Sequence, residues 1–159
     1  RQLLNHTSGL FNFTSLPDAE ASELLDLNHQ QVLELFKDRP ADFQPGASWR
    51  YNNSAFYLAG MVVERVSGRE YATYLHEKLF LPLGMKSAQL CDSQSPAPDC
   101  AAGSVVKDGR LADPAPISWK LPWAGGAICA SASDLAQWQI ALESGKIVKP
   151  ATLRAPLLI

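Results

Sequence analysis

The clearest periodic pattern in the chain lies between Ser54 and Gly68. Small and apolar residues recur there every three or four positions, the spacing that puts side chains on one face of an α-helix. They are Ala55, Leu58, Ala59, Val62 and Val66. Ser54 is a residue type that begins helices and Gly68 one that ends them. The pattern therefore predicts a helix between these two residues.

A second helix is predicted directly after the first. It runs from about Arg69 to Leu79 and is terminated by Pro82 and Gly84. Helical spacing in the two helices predicts a common apolar core. We expect that core to contain Leu58, Val62, Val66, Tyr71, Leu75, Leu79 and Leu83.

Two other helices have recognisable ends. Asn28 can cap a short amphipathic helix that stops before Pro40. Ser131 can cap the last clear helix, where Asp134 stands three residues on as the partner of a capping box. Gly145 is expected to end that helix.

One β-hairpin is predicted. The apolar pair Val105-Val106 and Leu111 flank the dipeptide Asp108-Gly109, which favours a two-residue turn. The fold class expected from all these elements is α+β, mostly helical with a few short strands.

Composition limits the classes of protein that this chain can be. It has 159 residues, of which 47% are hydrophobic and 19% charged, and this composition excludes a disordered chain. A formal charge of -2 argues against nucleic acid as a partner, and the apolar runs are too short for a membrane span. Histidines stand far apart and outside metal-binding motifs, so no metal and no other cofactor is predicted.

The two ends suggest a piece of a longer protein. Residues 1–6 resemble the last turns of a helix, with Gly9 where a terminating glycine would stand. The other end stops on Leu157-Leu158-Ile159. We expect truncation at both ends; an ordinary domain with frayed termini is the alternative.

The three cysteines allow one disulfide. Cys91 and Cys100 bracket a Pro-rich segment without apolar anchors, which favours a bond between them and an oxidising compartment. Such a loop of about ten residues would contribute about 2–3 kcal/mol. Two free thiols are the alternative, and Cys129 is expected to be a small buried hydrophobic residue.

The residues just before the longest helix are candidates for chemistry. If the backbone is extended, Tyr51 and Asn53 lie on the same face. A phenol beside an amide can transfer a proton and hold a carbonyl group. A packing residue followed by a helix cap is the alternative explanation of the same pair.

Several short motifs occur in an order that is typical of a known family. They are His6-Thr7-Ser8-Gly9-Leu10, Pro45-Gly46 leading to Tyr51-Asn52-Asn53, Leu58 to Gly68, Leu81-Pro82-Leu83-Gly84-Met85, and Ala124-Gly125-Gly126 with Ser131 to Ala136. The chain resembles the serine β-lactamase-like family of class C β-lactamases, D-alanyl-D-alanine carboxypeptidases and related esterases.

The resemblance implies a fold and roles for two residues. The chain would be a fragment of one domain, with a helical lobe at about 10–103 and, at about 104–159, a hairpin and a return towards the sheet domain. Tyr51 would be the catalytic base and acid, and Asn53 would bind substrate through its amide. The family's nucleophilic Ser-x-x-Lys helix and its last strand would lie outside this chain.

Ser104 to Lys107 does match the spacing of Ser-x-x-Lys. That motif works on a helix, where an offset of three puts both side chains on one face. Here Asp108-Gly109 follows at once, which predicts a strand entering a turn and not a nucleophile.

The resemblance implies a serine hydrolase that forms an acyl-enzyme with a β-lactam, a D-Ala-D-Ala peptide or an ester. The fragment alone would be inactive without its nucleophile. The intact protein would take a small-molecule or peptidoglycan-type substrate in the periplasm or outside the cell. A non-catalytic binding module of the same ancestry is the alternative.

Overall fold

A computed structural model describes residues 1–17, 25–92, 100–114 and 118–154. After a 3₁₀ turn at Phe13–Ser15 come helices α1 to α6 and strands β1 to β4. The helices are α1 (His29–Glu34), α2 (Asn53–Ser67), α3 (Tyr71–Leu75, continued by a π-helical turn at His76–Phe80), α4 (Trp123–Gly126), α5 (Ala132–Glu143) and α6 (Pro150–Arg154). The strands are β1 (Gln89–Leu90), β2 (Val105–Lys107), β3 (Arg110–Ala112) and β4 (Ile128–Cys129).

The cap of α1 forms as predicted. The Asn28 side chain accepts a hydrogen bond from the Gln31 backbone N–H at 3.0 Å. The Gln31 side chain accepts in return from the Asn28 backbone N–H at 2.9 Å, which completes a capping box.

At the start of α5 only half of the predicted capping box is present. The Ser131 hydroxyl accepts from the backbone N–H of Asp134 at 3.2 Å. The Asp134 carboxylate accepts instead from the backbone N–H of Ser87 at 3.0 Å and from its hydroxyl at 2.5 Å. These bonds from Ser87 lower the pKa of Asp134 and join α5 to the segment before β1.

The prediction that Ser54 begins α2 is wrong by two residues. Asn52 is the cap, because its side-chain oxygen accepts from the backbone N–H of Ala55 at 2.8 Å. Ser54 is fully buried, and its hydroxyl accepts from the backbone N–H of Phe13 at 2.9 Å. Gly68 ends α2 in the left-handed conformation, as predicted.

The apolar interior consists of two clusters. The larger contains Phe13, Val32, Phe36, Tyr57, Leu121 and Trp123. The smaller contains Leu75, Phe80, Met85 and Ala88. Tyr71 and Leu90 are partly buried against both clusters and connect them.

The predicted inward face of α2 is rotated relative to the real one. Val62 and Val66 are 53% and 82% exposed, so their assignment to the core is wrong. Tyr57 and Gly60 face inwards instead. The reason is the close approach of α4 at Gly60, where a Cβ atom would lie 2.8 Å from the Trp123 ring.

The other predicted core residues are buried or partly buried. Leu75 is buried in the smaller cluster, and Leu79 and Leu83 pack against it. Leu58 and Tyr71 are partly buried against the larger cluster. The error is therefore confined to the last two turns of α2.

The hairpin forms as predicted. Strands β2 and β3 are antiparallel, with Val105 opposite Ala112 and Lys107 opposite Arg110. Asp108 and Gly109 have φ values of 52° and 75°, and a two-residue turn of this type requires both to be positive.

The disulfide joins Cys91 to Cys129, so the predicted bond between Cys91 and Cys100 is wrong. Strands β1 and β4 pair antiparallel, and Cys91 directly follows β1. That pairing brings the Cα atoms of the two cysteines to 5.4 Å. Cys100 is an exposed free thiol, and the segment between Cys91 and Cys100 is described only at its two ends.

The beginning of the chain also differs from expectation in one residue. Residues 2–6 form a turn whose last residue, His6, has a φ of 59°, and the Thr7 N–H donates to the carbonyl of Gln2 at 3.0 Å. His6, and not Gly9, is therefore the residue that terminates this turn.

In the described residues, no helix is long and apolar enough to cross a membrane.

Replacing Cys91 with serine should lower the free energy of unfolding by about 3–4 kcal/mol, because it opens a loop with a sequence separation of 38 residues. Cys100→Ser is the matched control and should leave stability unchanged. Urea unfolding of both variants under non-reducing conditions measures the difference. Equal losses in the two variants would contradict the observed pairing.

Gly60→Ala should destabilise the chain by about 1–3 kcal/mol, because the added methyl group overpacks the contact between α2 and α4. The gain in helix propensity, about 1 kcal/mol, works in the opposite direction. Gly126→Ala is the control, since its Cβ would lie 4.0 Å from the nearest neighbouring atom. Thermal unfolding compares the two, and a Gly60→Ala variant as stable as the parent would refute this packing.

Candidate active site

The segment that begins at His6 lies alongside the segment that leads to Tyr51. The Gly46 N–H donates to the carbonyl of Thr7 at 2.8 Å, and the Arg50 N–H donates to the carbonyl of His6 at 3.0 Å. These backbone hydrogen bonds hold the motif around His6 next to the segment that leads into α2.

The two segments approach each other closely at Gly9. Its φ is 72°, and an added Cβ would collide with the Phe43 carbonyl group. A side chain at position 9 would push the segments apart. The glycine in the His-Thr-Ser-Gly motif is thus explained by backbone geometry.

Two buried asparagines hold the end of this segment against α2. The Asn12 side-chain oxygen accepts from the backbone N–H of Asn53 at 3.1 Å. The Asn52 side chain caps α2 with its oxygen and donates from its nitrogen to the carbonyl of Leu10. Each asparagine therefore satisfies backbone groups that would otherwise be buried without partners.

The side chains of Tyr51 and Asn53 meet, as predicted. The Tyr51 hydroxyl donates to the side-chain oxygen of Asn53 at 3.0 Å. The Asn53 side-chain nitrogen donates to the Thr14 hydroxyl at 3.2 Å, which fixes the orientation of the amide. Tyr51 is 53% exposed, so its phenol is accessible to a substrate. The catalytic and binding roles of the two residues remain predictions.

His6 is part of the same site, and the sequence did not reveal its role. Its Nδ1 accepts from the backbone N–H of Asn52 at 3.2 Å. Its ring lies 4.7 Å from the Tyr51 ring and 5.0 Å from the Phe56 ring, between centroids. The His-Thr-Ser-Gly motif was the only signal, and it does not say what the histidine contacts.

A pocket of about 250 Å³ opens beside Asn53. The described residues that line it are Phe13, Thr14, Asn53, Ser118, Trp119, Leu121, Pro122, Gly125 and Gly126. None of these described residues is charged. The pocket is smaller than a site for a drug-sized ligand, and its walls suit one uncharged side chain.

A second polar cluster lies one turn along α2 but is structural. The Nδ1 atom of His29 forms a 2.7 Å hydrogen bond with the Tyr57 hydroxyl. Its Nε2 atom lies 3.4 Å from a carboxylate oxygen of Glu64. Burial, with a smaller effect of Glu64, raises the pKa of Tyr57 to about 12. Tyr57 is 1% exposed, and its hydrogen bond to His29 joins α1 to α2.

Tyr71 is the second phenol beside this cluster. Its backbone N–H donates to the other oxygen of Glu64 at 2.8 Å, and burial raises the pKa of its phenol. Like Tyr57, it remains neutral at physiological pH.

Ser104 does not form a helical Ser-x-x-Lys motif. Val105–Lys107 is strand β2, so Ser104 precedes a strand and Lys107 ends it. This agrees with the predicted hairpin.

The sequence of this chain is similar to that of known proteins. The family model of the beta-lactamases matches residues 1–157. A D-aminopeptidase of Brucella anthropi is 31% identical over 147 residues, which are 87% of this chain and 27% of that protein.

Two solved structures share the fold. The structure of a D-stereospecific amidohydrolase from Streptomyces sp. matches with a TM-score of 0.86 at 27% identity. The matched region is 99% of this chain and 50% of the amidohydrolase chain. The structure of the D-amino acid amidase from Ochrobactrum anthropi SV3, complexed with L-phenylalanine, matches with a TM-score of 0.78 at 25% identity. The matched region is 96% of this chain and 44% of the amidase chain.

The chain spans half or less of each of these proteins. Its helices and small sheets correspond to part of their α+β fold of the β-lactamase/transpeptidase type. With a family match over nearly its whole length, the chain belongs to the beta-lactamase family.

Proposed function

We propose that this chain supplies the proton-transfer and substrate-holding part of a serine hydrolase that cleaves amide bonds through an acyl-enzyme. The observation that carries the proposal is the 3.0 Å hydrogen bond between the exposed Tyr51 phenol and the Asn53 amide at the start of α2. Asn53 lines a pocket whose described residues are uncharged, and its bonded partner Tyr51 is exposed beside it in sequence.

The proposed reaction gives each group one task. In this proposal Tyr51 first gives its own hydroxyl proton to a basic group in the rest of the protein. The serine oxygen then attacks the amide carbonyl carbon while the deprotonated Tyr51 oxygen takes the serine proton. The carbon–nitrogen bond then breaks, and Tyr51 gives that proton to the leaving amine. Water releases the acyl group by the reverse route, and the Asn53 amide holds the substrate in line throughout.

The nucleophile is proposed to lie outside these 159 residues. Ser104 is followed by a β-strand, and an offset of three along a strand puts two side chains on opposite faces. The chain by itself is therefore proposed to be inactive.

The substrate is proposed to be an amide or short peptide of a D-amino acid with an apolar side chain. The names of the relatives support the D-amino-acid class: a D-aminopeptidase, a D-stereospecific amidohydrolase and a D-amino acid amidase. The aromatic and aliphatic walls of the pocket, among them Phe13, Trp119 and Leu121, support an apolar side chain. An oxidising compartment is proposed because of the Cys91–Cys129 disulfide.

Tyr51→Phe in the full-length protein should lower kcat for D-phenylalanine amide by about 10²–10⁴-fold, the usual contribution of a general base. The ring and its packing are kept, so the fold should be unaffected. Tyr74→Phe is the matched control and should leave kcat unchanged. Steady-state release of ammonia measures both.

A Tyr51→Phe variant within twofold of the parent would refute the role of Tyr51. Absence of any hydrolysis by the full-length protein would favour a non-catalytic binding module. The 159-residue chain itself should show no turnover above background. Turnover that is lost in its Ser104→Ala variant would show that the nucleophile is within the chain after all.

A further inference from the structure

The geometry points to a positioning role for His6. We propose that its imidazole ring fixes the Tyr51 phenol in the orientation in which it meets Asn53. The catalytic importance of this rests on the proposed function of Tyr51. The orientation itself is a property of this chain and can be measured without any activity.

The ring contact is the first observation. The His6 and Tyr51 rings have centroids 4.7 Å apart and planes tilted by 41°, within the range of attractive aromatic pairs. The His6 ring also lies 5.0 Å from the ring of Phe56, a residue of α2. His6 thus contacts both the catalytic candidate and the helix that carries Asn53.

A hydrogen bond locks the histidine ring in place. The backbone N–H of Asn52 donates to His6 Nδ1 at 3.2 Å. Nδ1 must therefore be unprotonated, and the ring proton of neutral His6 is on Nε2. Because Asn52 is both the neighbour of Tyr51 and the cap of α2, this bond sets the histidine ring relative to both.

The backbone of His6 is also held in an uncommon conformation. Its φ of 59° is in the left-handed region, which non-glycine residues enter rarely and which histidine tolerates better than most. The Thr7 N–H to Gln2 carbonyl bond on one side and the Arg50 N–H to His6 carbonyl bond on the other maintain it. Two constraints on the backbone and one on the ring leave the imidazole little freedom.

Tyr51 needs such a support because it lies on an irregular segment and is half exposed. Its hydroxyl is directed by Asn53, but one hydrogen bond at the end of a long side chain does not fix the ring. A catalytic group displaced by about 1 Å can lose about a hundredfold in rate. The His6 ring restricts that displacement.

Two substitutions separate the two contacts of His6. His6→Asn keeps a short hydrogen-bond acceptor and tolerates the left-handed backbone but removes the ring. His6→Phe keeps the ring and removes the acceptor. His76→Asn, at an exposed histidine in the π-helical turn, is the control.

The first measurement uses the 159-residue chain with ¹³C-labelled tyrosine rings, and Tyr51→Phe assigns the Tyr51 signals. NMR couplings and nuclear Overhauser effects report whether the Tyr51 side chain has one orientation. We expect one orientation in the parent, His76→Asn and, more weakly, His6→Phe, and rotamer averaging in His6→Asn. A single unchanged orientation in His6→Asn would overturn the inference.

The second measurement uses the full-length protein with D-phenylalanine amide. His6→Asn should lower kcat by about 10- to 100-fold with KM changed less than threefold, and His6→Phe should recover part of the loss. A rise in KM at unchanged kcat would overturn the positioning role. Failure of the proposed function would show differently, as a Tyr51→Phe variant that keeps full activity while His6→Asn still frees the Tyr51 ring.

Discussion

A small buried junction of hydrogen bonds holds the site together. Three side chains, Asn12, Asn52 and Ser54, accept from the backbone N–H groups of Asn53, Ala55 and Phe13 at 2.8–3.1 Å. All three side chains are buried. An unsatisfied buried group costs about 1–3 kcal/mol, so losing any one partner would destabilise the junction.

The junction matters because it joins a loop to a helix. It fixes the segment around His6 and Asn12 against the first turn of α2, where Asn53 projects. Two turns further along the same helix, Gly60 admits Trp123 and so brings α4 close. Since α4 carries Gly125 and Gly126, the pocket and the Tyr51–Asn53 pair are both placed by α2. A rigid helix with contacts at two points thus determines the geometry of the site.

Much of the local structure could be predicted from the sequence because its causes are local. The cap at Asn28, the end of α2 at Gly68 and the turn at Asp108-Gly109 depend on residues within a few positions of each other. The meeting of Tyr51 and Asn53 is of the same kind. In each case the residue type satisfies a backbone requirement that the sequence itself displays.

The errors arise where distant segments decide. Val62 and Val66 fit a helical stripe, but the contact with α4 turns the other side of the helix inwards. The sequence favours a bond from Cys91 to Cys100, the next cysteine along the chain, whereas the pairing of β1 with β4 places Cys91 beside Cys129. Serine is a residue type that often caps helices, but the Ser54 hydroxyl accepts a hydrogen bond from the distant backbone N–H of Phe13 instead. The contacts of His6 could not be predicted because its partners Tyr51, Asn52 and Phe56 lie more than 40 positions away.

Hydrogen exchange at the backbone N–H groups of Phe13, Asn53 and Ala55 tests this account most directly. Exchange of a buried, bonded amide requires opening of its surroundings. If the junction holds the site, all three should exchange only on global unfolding, with the same free energy as the interior of α2. Fast exchange at Phe13 and Asn53, while the amides in the middle of α2 remain protected, would show that the loop is not fixed to the helix and would contradict the account.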